Sequence, residues 1–153
     1  MVSKESIITG AILILITYTL GLSLVSQAFP AAQTSKTLSS TGTIETIGVG
    51  VYTDFQCNTP LSSIPWGTLE PGESQSVICY IKNEGSDPAT LSLQTSNWNP
   101  TAAASYLYLS WNYNYGQSIN PGDSVQVTFT LTVSPDIEGI KSFSFDITIV
   151  GSS

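Results

Sequence analysis

Apolar and polar side chains alternate without a break along two stretches near the C-terminus. Val125, Val127, Phe129, Leu131 and Val133 are separated by Gln126, Thr128, Thr130 and Thr132; Phe143, Phe145, Ile147 and Ile149 are separated by Ser144, Asp146 and Thr148. Successive side chains of a strand point to opposite faces, so a period of two predicts strands with one face in a core and the other in water. Shorter runs of the same kind predict strands at Ile47–Val51, Val77–Ile81, Ala89–Leu93 and Leu107–Trp111, with a seventh candidate near Leu61–Trp66. No stretch after Thr43 sustains a helical period. Half-apolar antiparallel strands bury their greasy faces by closing two sheets on each other. The expected fold is therefore all-β, an antiparallel β-sandwich of about six to seven strands over residues 43–153.

Turn signals divide these runs. Leu69-Glu70-Pro71-Gly72-Glu73-Ser74 and Ile119-Asn120-Pro121-Gly122-Asp123-Ser124 share one form, each just ahead of a strand. Proline presets φ at the second turn position and glycine accepts positive φ at the third, which predicts type II turns. Asn83-Glu84-Gly85 and the run from Ser134 to Gly139 supply further strand ends.

The N-terminus follows a different pattern. After Lys4 and Glu5, residues 7–28 form an uncharged run rich in Ile and Leu, expected to be one hydrophobic helix. Its length suffices to cross about 30 Å of hydrocarbon, and Ser26 and Ala28 occupy the two small-residue positions a signal peptidase reads. Residues 1–28 thus read as either a transmembrane anchor or a signal peptide cleaved after Ala28. Lys4 and the amino terminus precede the run, which favours the N-terminus inside and the remainder outside. Residues 29–42 turn to Ala, Gln, Thr and Ser and read as a tether.

Composition narrows the function. Among 153 residues there are four Lys or Arg, eleven Asp or Glu and no His, for a net charge of -7. All four cations are lysines. Nucleic acid is excluded as a partner, because phosphate binding needs clustered cations. Without His there is no histidine-based triad or metal site, and without Arg no bidentate clamp. No cofactor or metal is expected, and the chain reads as a non-enzyme. Cys57 and Cys79 are the only cysteines, an even count in an expected oxidising compartment. They are expected to form a disulfide contributing about 3 kcal/mol by the chain-entropy estimate.

The stretch Trp66-Gly67-Thr68-Leu69-x-Pro71-Gly72-x-Ser74, followed by Tyr80-Ile81-Lys82-Asn83-Glu84-Gly85, resembles the small Ig-like β-sandwich domains of archaeal and bacterial cell-surface proteins. The Pro121-Gly122 strand and the Phe143–Ile149 strand extend the resemblance across most of Thr43–Val150. A fainter similarity is to camelysin-type biofilm fibre proteins and archaeal pilus subunits, which combine a signal segment, a sandwich and an N-terminal strand donated to a neighbour. The resemblance implies an extracytoplasmic structural or adhesion module, with a fibre subunit built by strand donation as the alternative. It carries over no catalytic residues.

Candidate ligand-facing residues are aromatic. Trp98, Tyr106, Tyr108, Trp111, Tyr113 and Tyr115 crowd one region. On a strand Leu107, Leu109, Trp111 and Tyr113 face one side, so Tyr106 and Tyr108 are expected as an exposed pair on the other, able to stack on a sugar. That makes a carbohydrate-binding module a further alternative. Glu84 with Asp87, and Asp136 with Glu138, lack the dense oxygen spacing of a calcium loop and read as solvated charges. The remaining partners expected are the membrane, through residues 7–28 if uncleaved, and further copies of the chain or other surface proteins.

Overall fold

Residues 38–153 are described by a computed structural model. The expected hydrophobic helix, its cleavage site and most of the tether lie outside the described residues. Among those described, no helix is long and apolar enough to cross a membrane.

The order is β1 (Leu38–Ile47), β2 (Val49–Tyr52), β3 (Ser63–Leu69), β4 (Ser74–Asn83), β5 (Thr90–Asn99), a 3-10 turn (Thr101–Ser105), β6 (Leu107–Trp111), β7 (Ser124–Val133) and β8 (Ser142–Ser152). They make two four-stranded sheets, β3-β1-β8-β5 and β2-β4-β7-β6. The all-β expectation holds, and the two strict alternations become β7 and β8.

Both sheets feed one core. From β7 it takes Val127, Phe129, Leu131 and Val133, from β8 Phe143, Phe145, Ile147 and Ile149, and from β3 and β4 Ile64, Trp66, Cys79 and Ile81. Each fully buried large side chain contributes about 1.5–3 kcal/mol of transfer free energy. Phe145 is the hub of the aromatic packing, with the Trp98 ring stacked at 4.1 Å and the Trp66 ring at 6.5 Å.

The two Pro-Gly turns form as their sequence requires. Glu73 N–H donates to Glu70 C=O at 3.1 Å and Asp123 N–H to Asn120 C=O at 3.0 Å. Gly72 and Gly122 take φ of +86° and +81°.

Three features depart from expectation. The strand expected at Ile47–Val51 is two strands in different sheets, divided at Gly48, whose φ of +71° lets the chain cross over. β1 begins at Leu38, so residues 38–42 of the expected tether are sheet. Its inward positions Leu38, Ser40 and Gly42 are too weakly apolar to register as an alternation, because Trp66 already fills the space above Gly42. Finally, the sheets are not wholly antiparallel. β1 lies antiparallel to β3 but parallel to β8, with nine pairs running from Ser39↔Ser142 to Ile47↔Val150.

Candidate functional site

β5 and β6 are edge strands, one of each sheet. A groove of about 380 Å³ opens between them, with Leu91, Ser92 and Leu93 on one wall and residues 108–111, Tyr113 and Tyr115 on the other.

Local geometry explains how each aromatic arrives there. On β6 the odd residues turn inward, so Leu107 is buried, Leu109 and Trp111 are half-buried, and Tyr108 points out with 70% exposure. Trp111 stacks on Phe129 at 5.9 Å and leans on Tyr113 at 5.2 Å, joining the groove floor to the core. Tyr113 is buried; its hydroxyl donates to the Gln117 carbonyl and accepts the Leu91 N–H at 3.1 Å. Gln117 N–H donates to Asn114 C=O at 3.0 Å, closing a turn with Tyr115 second and Gly116, φ +82°, third. That turn holds Tyr115 at the rim, 97% exposed.

The backbone adds polar groups. Leu91 N–H leaves the β5–β8 ladder for Tyr113, so by the two-residue period Leu93 N–H and C=O also face away from β8. On β6, Tyr106 C=O and Asn112 N–H are bonded on the β7 side, which directs the Leu109 backbone outward. None of the described residues lining the groove carries a charge at neutral pH.

The expected Tyr106 and Tyr108 pair is not brought together. Tyr106 caps the 3-10 turn, where its N–H donates to Ala103 C=O at 3.0 Å, and it packs half-buried against the core. It lies before β6 begins, so strand alternation does not govern it. The other exposed tyrosine lining the groove is Tyr115, one of the six clustered aromatics. The signal for it was Asn114-Tyr115-Gly116-Gln117, a turn that exposes its second residue. Trp98 belongs to the core stack on Phe145 instead.

The expected disulfide is not formed. Cys57 and Cys79 are free thiols. Cys79 faces the core from β4, and burial pushes its thiol up to about 12. Cys57 sits half-buried in the β2–β3 connection with φ of +56°. There the Asp54 carboxylate accepts the Thr59 and Asn58 amides at 2.8 and 3.2 Å. Desolvation alone would raise Asp54, but the amides of Asn58 and Thr59 outweigh it and hold the carboxyl below its ordinary value.

Glu84 and Asp87 accept side-chain hydrogen bonds, and Asp136 is held through its backbone. Glu84 accepts the Tyr52 hydroxyl, an interaction that raises the tyrosine above its ordinary value. Asp87 accepts Ser86 Oγ at 3.1 Å, and Asp136 N–H donates to Ser134 Oγ at 3.2 Å. Among the described residues no three potential ligands gather around a metal-sized space. Comparison with known protein families and with characterised proteins finds no match for this chain.

Proposed function

We propose that this chain is a non-enzymatic structural and adhesion module of the cell surface, an Ig-like β-sandwich exported or anchored by residues 7–28. The observation that carries the reading is the position of β1. It starts ten residues beyond Ala28 and lies between two partners, β3 on one side and β8 on the other. In the sequence only residues 29–37 separate the candidate anchor from that strand. Surface chemistry supports the same reading. The outer positions of β1 and β8 carry Ser39, Thr41, Thr43, Ser142 and Ser144, hydroxyl groups that stay hydrated, with Asp146 as a charge among them.

The strand-donation alternative calls for a slot left open for a neighbour's strand. β1 occupies the place between β3 and β8 within its own chain, which favours the self-contained module.

Protease treatment of intact cells, followed by N-terminal sequencing of membrane and medium fractions, tests the proposal. The expected result is a domain digested from outside. A start at Phe29 in the medium selects the exported form, and an intact N-terminus in the membrane selects the anchored one. A domain sheltered in intact cells but digested after lysis would overturn the reading.

A further inference from the structure

We infer that the groove between β5 and β6 binds a neutral saccharide chain. The inference rests on the surface-module reading and names what such a module holds.

Three observations converge. Tyr108 and Tyr115 stand 70% and 97% exposed at the rim of one groove. Large rings kept in water offer flat apolar faces with a polar tip, which suits the C–H face of a pyranose ring and its hydroxyl edge. Ser92 lines the same groove, and the outward backbone groups of Leu93 and Leu109 supply both donors and acceptors along its two edges. Sugar hydroxyls need both. The lining carries no charge, so a charged ligand would lose its hydration without an ionic partner, whereas a neutral polyol loses less and replaces it with hydrogen bonds to the groove. A volume of about 380 Å³ lies within the range of small-ligand sites.

A bound peptide strand is the competing occupant, and the β5 edge is poorly made for it. Tyr113 consumes the Leu91 N–H, and the register shift between Ser96 and Asn99, with Asn97 at φ +51°, breaks β5 further along. Only Leu93 and Thr95 remain between these points with outward backbone on β5, too few for a strand ladder. Saccharide recognition needs no continuous ladder.

The test uses the full chain in a zwitterionic, sugar-free detergent, titrated with cellohexaose, laminarihexaose, chitohexaose and mannohexaose. Binding is read by calorimetry and by tryptophan fluorescence, since Trp111 lines the groove. Saturable binding of at least one oligosaccharide is expected. Tyr108→Ala and Tyr115→Ala should each weaken it about tenfold, and the double variant should abolish it with an unchanged urea midpoint. Absence of binding by all four at millimolar concentration overturns the inference, as does binding that survives in the double variant. An extended Thr-Val peptide that binds wild type but not the double variant, with no sugar bound, assigns the groove to a strand and also overturns it. The two readings fail separately: a domain digested on intact cells but blind to sugars sinks the saccharide alone. A domain sheltered from protease sinks the surface reading on which the ligand's role depends.

Discussion

Asn83 is buried at the end of β4 and all its side-chain hydrogen bonds go to backbone. Its Nδ2 donates to Asp87 C=O at 2.7 Å and Ile119 C=O at 2.9 Å, and its Oδ1 accepts Gly85 N–H at 2.9 Å. One side chain therefore joins the β4–β5 turn to the loop before β7. Asn83→Ala removes three side-chain-to-backbone hydrogen bonds, one of them buried, and should cost about 1–3 kcal/mol in urea unfolding; Asn83→Asp should cost more, because a carboxylate cannot donate to two carbonyls. The sequence marks Asn83 as a turn residue but not as this bridge, since one of its partners, Ile119, lies 36 positions away. The cysteines were legible as a pair by count alone, and counting carries no distance. With Cys79 in the core and Cys57 in a half-buried connection, a thiol reagent should label one equivalent in the native protein and two after unfolding. Cys79 also couples stability to alkaline pH. Its folded value is raised, so its contribution is intact below the ordinary thiol value of 9.0 and is lost as pH rises toward about 12. Cys79→Val should flatten that part of the urea-midpoint profile, which a pH series measures.

At the scale of elements, side-chain contrast decided what could be read in advance. β7 and β8 alternate Val, Phe, Leu and Ile with Thr, Ser and Asp, and their limits were legible to within a residue or three. β6 was legible in full. β1 was not, because its inward face offers Ser40 and Gly42 beneath Trp66, and a small residue under a large neighbour looks like a linker. β5 continues to Asn99 past the apolar stretch that revealed it, held by β8 rather than by its own alternation. The groove was legible in its composition but not in its membership, since Tyr115 reaches the rim from a turn after β6 rather than from a strand. Gly48 concentrates the switch between sheets in one residue. A Cβ there would stand 3.6 Å from Gly151 C=O, an ordinary contact, so the cost of substitution comes from φ. Gly48→Val should destabilise by at least about 1–2 kcal/mol, and a fall in thermal midpoint with unchanged far-ultraviolet circular dichroism would report it.

For the whole molecule, the pairing of the outermost described strands has a mechanical meaning. Because β1 and β8 run in the same direction, Leu38 and Ser152 lie toward opposite ends of one ladder of nine pairs. Tension applied between them loads those hydrogen bonds side by side, in shear, so they must yield together. Leu38 and Leu69, by contrast, face each other across the antiparallel β1–β3 pair, and pulling on them opens its bonds one after another. Single-molecule stretching should therefore find a markedly higher rupture force between handles at 38 and 152 than between handles at 38 and 69; equal forces would count against the clamp. A domain tied near a membrane at one end and gripped from its far end would hold under drag or flow that unzips an ordinary hairpin.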